Sequence, residues 1–261
     1  MDVLSATRID SVRERRAFVA REWHARTEGR FSAVPQAPEQ RPNQIELPGL
    51  PARQWWDPAS FPFVRDLEAA SAEISREVSR LRDAGYLRPR PIASIPAAER
   101  FGDQLLIDGD EGGWEIFRLF YNGLWFEQSC ALCPVTVAAV RAVPRLAGTV
   151  GISGLLGGTR VRPHCGLSNA KLRCHLGLSV PSGCGLRVGA ETRTWEEGRC
   201  LIFDDSFEHS VWNDSDQPRY VLMLDVYHPT LDDADLEWIA SRSEVPVCKR
   251  QSVCAKATWT R

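Results

Sequence analysis

The sequence predicts a mainly β fold, a sandwich or barrel with a helical N-terminal part, and three observations predict it. Beyond about Glu111 the chain breaks into short β-rich runs, from WEIFRLFYNG through GTVGISGLLGGTRVRPH and LRCHLGLSV to RYVLMLDVYHP, separated by Gly, Pro, Asn and Asp. Short strands at regular spacing with turn residues between them are the pattern of double-layered or closed antiparallel sheets. Ahead of them, Val64, Leu67, Ala70, Ile74, Val78 and Leu81 recur at helical spacing, so one amphipathic helix is expected from Phe63 to a stop at Gly85. The chain carries no internal repeat and no glycine-rich phosphate loop, which removes the dinucleotide- and nucleotide-binding classes.

Taken in order, residues 1–44 read as a polar arm, with a short helix around Ile9–Arg26 and then an extended linker, PQAPEQRPNQ. Residues 45–240 form the single main domain. It opens with IELPGLPARQWWDPASFPF, a Pro-rich aromatic strap with turns at Asp57-Pro58 and Phe61-Pro62, followed by the amphipathic helix. A second helix is expected at Val135–Ala142 among the early strands, and residues 241–261 form a C-terminal tail.

A chain of 261 residues buries a substantial core, and 43% apolar with 25% charged residues is ordinary for a globular protein. A net charge of −2, with acids and bases interspersed, gives no steering towards nucleic acid or an anionic membrane. The charged start MDVLSATRIDSVRERRAFVA reads as no secretory signal, and no apolar run is long enough to span a bilayer. The eight cysteines follow no disulfide framework. Cys130 and Cys133 form a C-x-x-C without the second ligand pair of a zinc site or the βαβ setting of a redox motif, so packing thiols in a reduced cytoplasm are expected.

The chemistry concentrates in the β-rich half. Of five histidines, His24 lies in the arm and His228, before Pro229, reads as structural. His164 ends a strand after a Gly-Gly turn, and His209 opens the strand HSVWND. Two imidazoles from strands far apart in sequence suit a metal held across a barrel mouth. In LRCHLGLSV, Leu172, Cys174, Leu176 and Leu178 share one face while Arg173, His175, Gly177 and Ser179 share the other. Arg173 and His175 either meet solvent there or need polar company, because burying them alone is costly. Arg219 shares a face with Val221, Met223 and Asp225 and would enter the same pocket. Two arginines beside two or three histidines suit a dicarboxylate next to a divalent metal. Asp204 and Asp205 either orient an imidazole or cap the turn before His209, and Glu208 reads as solvent-facing.

The segments RPHCGLSNAKLRCHLGLSVP, ETRTWEEGRCLIFDDSFEHSVWND and RYVLMLDVYHP closely resemble the aspartyl/asparaginyl β-hydroxylase family. The resemblance covers roughly residues 45–230 and is densest from Ser153 to Pro229. It implies a double-stranded β-helix (jelly roll, cupin-like) and a dioxygenase that uses Fe(II), 2-oxoglutarate and O2. It implies His164 and His209 as iron ligands, with Arg219 and Ser153 on the far carboxylate of 2-oxoglutarate. His175 and Arg173 match residues that contact cosubstrate and substrate carboxylates, and Phe120 stands where the animal enzyme has a Trp lining the cosubstrate site. Most 2-oxoglutarate oxygenases carry a carboxylate two residues after the first histidine; here that position is Gly166, an absence the family shares, with water in the vacant place. The expected substrate is a small molecule or peptide: an amino acid or residue such as Asp or Asn, free, carrier-bound or in a peptide, hydroxylated at Cβ. A lipid-hydroxylating relative and a non-catalytic β-barrel binding protein are the competing readings, and a pure binder has no need of all six polar residues together.

Overall fold

Strict alternation gives the later strands two unlike faces, and the chain buries both by winding back and forth between two antiparallel sheets. The structure, a computed structural model, describes residues 12–28, 30, 37–96 and 102–242. Helix α1 (Val12–Thr27) and a short strand β1 (Trp55–Trp56) lead into helices α2 (Phe63–Ala69) and α3 (Ser71–Asp83). Then come β2 (Trp114–Tyr121), β3 (Leu124–Trp125), α4 (Glu127–Leu132) and α5 (Pro134–Arg141). From there the chain alternates: β4 (Leu146–Leu155), β5 (Thr159–His164), β6 (Lys171–Ser179), β7 (Cys184–Val188), β8 (Glu191–Arg193), β9 (Cys200–Phe203), β10 (His209–Asn213) and β11 (Arg219–Tyr227), closed by α6 (Asp233–Arg242).

The larger sheet runs β1-β9-β6-β11-β4-β2-β3 and the smaller β5-β10-β7-β8. From β4 to β11 the chain crosses from one sheet to the other at nearly every step. That winding is a double-stranded β-helix, as expected. Strand register sorts the residues. Leu172, Cys174 and Leu176 of β6, with Tyr220, Leu222 and Leu224 of β11 and Ile202 of β9, point away from the smaller sheet and form the main core with α2, α3 and α5. The opposite parity, Arg173, His175 and Gly177 with Val221, Met223 and Asp225, looks inward between the sheets, as the alternation in the sequence predicts. There Leu186, Val188, Phe203, Phe207 and Val221 make a second, smaller core.

The single helix expected over residues 63–85 is two, α2 and α3, joined at Ala70, while the expected helix at 135–142 appears as α5. Cys130 and Cys133 are free, buried thiols, and burial pushes the Cys133 thiol up to about 12, in keeping with packing. The expected free arm through residue 44 is corrected over its described part. Helix α1 buries Trp23 against Trp238 of α6, the Trp23 indole donates to the Pro48 carbonyl, and Arg26 pairs with the buried Asp235. Residues 1–11 and 243–261, most of the expected tail among them, lie outside the described residues. Among the described residues no helix is long and apolar enough to cross a membrane.

The least obvious support of the core is a carboxylate. Glu77 of α3 is fully buried and accepts from the backbone of Val135 (2.9 Å) and Thr136 (2.8 Å) and from the Thr136 hydroxyl (2.7 Å). It caps α5 from another helix, satisfying N–H groups that the helix start leaves open, and its negative charge suits the helix dipole. Substituting Glu77→Ala should therefore cost about 2–3 kcal/mol of stability, as expected for hydrogen bonds to a buried charged group, measurable by urea denaturation. A variant as stable as the parent would show that the cap contributes nothing.

Candidate metal and anion site

The cavity between the sheets is lined by Trp114, Ser153, Val161, His164, Arg173, His175, Phe203, His209, Val211, Arg219 and Met223. All the polar site residues expected from the sequence are there. His164 and His209 come from the smaller sheet, where antiparallel pairing sets one directly opposite the other. Their ring centroids are 4.1 Å apart. Each ring turns Nδ1 to the carbonyl two residues back, His164 to Arg162 (2.8 Å) and His209 to Phe207 (2.9 Å). A carbonyl only accepts, so both Nδ1 atoms carry the proton, and in a neutral ring held this way Nε2 is the atom that can ligate a metal. Burial, reinforced by the neighbouring His164, lowers His209 to about 3, so it is neutral at physiological pH.

The larger sheet faces this pair with donors. Ser153, on β4, accepts from the Trp114 indole at 2.9 Å and keeps its own hydroxyl proton to give. Arg219 opens β11, 2% exposed, and its Nε and Nη1 have no hydrogen-bond partner. Burial lowers it to about 10, which leaves it charged. His175 is held well below its usual range by burial and then by Arg219 and Arg173, and its Nε2 is likewise buried without a partner. An unpaired buried cation costs several kcal/mol. A cavity that keeps one, beside a neutral imidazole, leaves buried donors that an anion would satisfy.

Arg173 lines the cavity but is already engaged. Its Nε meets Asp225 Oδ1 at 2.8 Å and its Nη2 meets Asp205 Oδ2 at 3.1 Å, while Lys171 bridges the same carboxylates, at 2.9 Å to Asp225 and 3.3 Å to Asp205. Burial opposes ionisation of Asp205 and Asp225, but these two cations outweigh it and hold both carboxyls below their usual range. The sequence left Asp204 and Asp205 undivided; the structure divides them. Asp204 caps its own turn through the backbone N–H and hydroxyl of Ser206, and burial raises it to about 7. Asp205 instead faces Gly166, where a Cβ would come within 2.5 Å of its carboxyl carbon. Its Oδ1 is buried and without a hydrogen-bond partner. The space a side chain at position 166 would need is thus filled by a carboxylate from a different strand connection.

Phe120 is a correction. It packs on Trp125 (5.0 Å between centroids) in the main core and does not line the cavity. A register irregularity between Arg118 and Phe120 reverses parity in β2, turning Phe120 outward, and the aromatic ring that β2 presents to the cavity is Trp114. Sequence reasoning also missed what the linker segment before the strap does. Arg41 N–H donates to the Ser206 carbonyl and Glu208 N–H to that of Glu39, while Asn43 N–H donates to Gly166 and its side chain to the Cys165 carbonyl. The Gln40 amide, buried, donates to Asp204 and Ser206 at 3.0 Å each. Residues 39–43 therefore tie the loop after His164 to the loop before His209. Glu208 pairs with Arg187 at 2.7 Å and is partly solvent-facing.

The family model for aspartyl/asparaginyl β-hydroxylase matches residues 69–229. The chain belongs to that family. It is 36% identical over 188 residues to the aspartyl/asparaginyl β-hydroxylase of Homo sapiens, covering 70% of this chain and 24% of that protein. It is 35% identical over 207 residues to aspartate β-hydroxylase domain-containing protein 1 of Mus musculus, covering 75% of this chain and 54% of that one. The chain thus spans about a quarter to a half of these relatives. Among solved structures, a Trichoplax adhaerens prolyl hydroxylase in complex with a hypoxia inducible factor peptide fragment aligns over 67% of this chain and 83% of its own, at 13% identity and a TM-score of 0.42.

His228 is fully buried, with Nδ1 at 2.8 Å from the Thr230 hydroxyl, and burial lowers it to about 4 from an ordinary 6.5. The unfolded chain therefore takes up this proton first as pH falls. Stability should decline as pH drops from about 6.5 towards 4, by the linkage between proton uptake and unfolding, and His228→Gln should flatten part of that slope in acid-to-neutral denaturation series. An unchanged slope in the variant would remove His228 as a contributor.

Proposed function

We propose that the chain is an Fe(II)- and 2-oxoglutarate-dependent dioxygenase that hydroxylates, at Cβ, an amino acid or residue such as Asp or Asn, free, carrier-bound or in a peptide. The observation that carries this reading is the buried Arg219 guanidinium, its Nε and Nη1 without hydrogen-bond partners, in the same cavity as two opposed imidazoles that each turn Nδ1 to a backbone carbonyl. The donor set fits both groups. His164 and His209 would hold the metal, and two neutral imidazoles with a nearby carboxylate suit Fe(II). Arg219 would bind the far carboxylate of 2-oxoglutarate with the Ser153 hydroxyl, and the His175 Nε2–H would be a further donor to the same anion.

Iron with 2-oxoglutarate supplies the activation of O2 and the oxidation of the C–H bond, chemistry that belongs to the cofactor pair. The chain's own contribution is placement and exclusion. Arg219, Ser153 and His175 fix the cosubstrate, Phe203 and Met223 wall the cavity against water, and Asp205 sets a negative charge beside the imidazoles. Lys171, Arg173 and Arg219 outnumber Asp205 and Asp225, a surplus of positive charge that favours a substrate with its own carboxylate or amide oxygen near Arg173. The six described cysteines are free thiols, which supports a reducing compartment such as the cytoplasm.

Turnover assays with Fe(II), 2-oxoglutarate, O2 and Asp or Asn derivatives should yield succinate together with a hydroxylated product. His209→Ala should reduce both to background, and Arg219→Ala should raise the 2-oxoglutarate concentration required by roughly a hundredfold, the scale of losing a buried charge pair. Succinate release by His209→Ala at the parent rate would sink the metal assignment. A folded, iron-loaded parent that binds 2-oxoglutarate but never consumes it would make the chain a binding protein.

A further inference from the structure

The anion-binding donors have a support that the sequence motifs do not reveal. Trp195 sits in the connection between β8 and β9, 4% exposed, and its indole Nε1–H points at His175 Nδ1 at 3.3 Å. The two rings lie side by side and nearly parallel, 5.9 Å between centroids and 26° between planes. On the same indole lies Arg219, its guanidinium carbon 4.8 Å from the ring centroid. One residue thus touches both donors that lack partners.

Each contact has a physical consequence. An indole N–H only donates, so His175 Nδ1 must accept, and the neutral ring is left with its proton on Nε2, the atom buried in the cavity without a partner. Without that donor the imidazole would be free to take the other tautomer and present a lone pair to an incoming carboxylate, which repels it. The indole face, for its part, attracts the guanidinium by a cation–π interaction and holds it flat without neutralising it, as a carboxylate would. We infer that Trp195 is a positioning residue for the anion site, fixing the His175 tautomer with its N–H and cradling Arg219 with its ring. The inference deepens the proposed function, on which the identity of the anion as 2-oxoglutarate rests.

Local structure shows how Trp195 is brought there. Gly177 lies on the same face of β6 as His175, and a Cβ on it would come within 2.4 Å of the Glu196 carbonyl. The loop docks onto it through Gly177 N–H to Arg199 O (3.1 Å) and Gly198 N–H to Gly177 O (2.9 Å). Only a glycine lets the loop backbone lie this close to the sheet, and that approach sets Trp195 beside His175.

The test is the tautomer itself, read from histidine-labelled, zinc-loaded full chain by long-range proton–nitrogen NMR, with the His175 signals assigned through His175→Gln. The parent should show protonated Nε2 and bare Nδ1. Trp195→Phe keeps the ring but loses the donor, and should give mixed tautomers. Calorimetric affinity for 2-oxoglutarate in the same zinc-loaded protein should fall by about five- to tenfold, the scale of one hydrogen bond. A parent protonated on Nδ1 overturns the inference with no variant needed, as does a folded Trp195→Phe with parental tautomer and affinity. If the parent fails to bind 2-oxoglutarate while the tautomer still shifts in Trp195→Phe, the positioning role stands and the proposed function falls.

Discussion

The pairing of β10 with β5 is the constraint on which the rest depends. Antiparallel register sets His209 opposite His164, and a slip of one residue would turn one ring to the other face of the sheet. Several features defend that register. The irregularity opposite His209 and Val211 is an extra residue in β5, which lets His164 line the cavity as Val161 does, while β10 keeps its regular pairing with β7. The linker segment at residues 39–43 ties together the loops that adjoin the two histidines. Backbone carbonyls then fix both rings, so that what a metal would meet is prepared before it arrives.

Charge is divided across the cavity in a way that separates structure from function. Lys171, Arg173, Asp205 and Asp225 satisfy one another, so that quartet is stable without a ligand. Arg219 and the His175 Nε2 are not satisfied, and the fold bears the cost of keeping them dry. The difference matters because a binding site must hold donors in reserve, whereas a structural ion pair has none to spare. Asp205 stands between the two cases: one oxygen belongs to the quartet, and the other is left over beside Gly166.

Much of this was legible in the sequence because strand alternation has a period of two. Knowing that Arg173 and His175 face away from Leu172 and Cys174, and that Arg219 aligns with Met223, was enough to put them in one pocket. The failures mark where that period breaks or where partners are distant in sequence. Phe120 is placed at the cavity only by resemblance to an aromatic position of the family, and a bulge near Leu119, which no residue type announces, turns it outward while Trp114 takes the cavity side. Trp195 went unnoticed because it acts from an irregular loop, although Gly177 on the site face of β6 was a visible sign that something approaches closely. The segment at residues 39–43 reads as linker because its Pro-, Gln- and Asn-rich composition says nothing about which carbonyls its N–H groups find.

The central claim is that one cavity holds a two-histidine metal site and a receptor for a dicarboxylate side by side. Anaerobic titration of the full chain with Fe(II) and 2-oxoglutarate, followed by visible absorption, tests it most directly. The account predicts a weak charge-transfer band that needs both additions, vanishes in His164→Ala, and requires far more 2-oxoglutarate in Arg219→Ala. A folded protein that binds Fe(II) yet gives no band with 2-oxoglutarate, or gives the same band in Arg219→Ala at the same concentration, would contradict it.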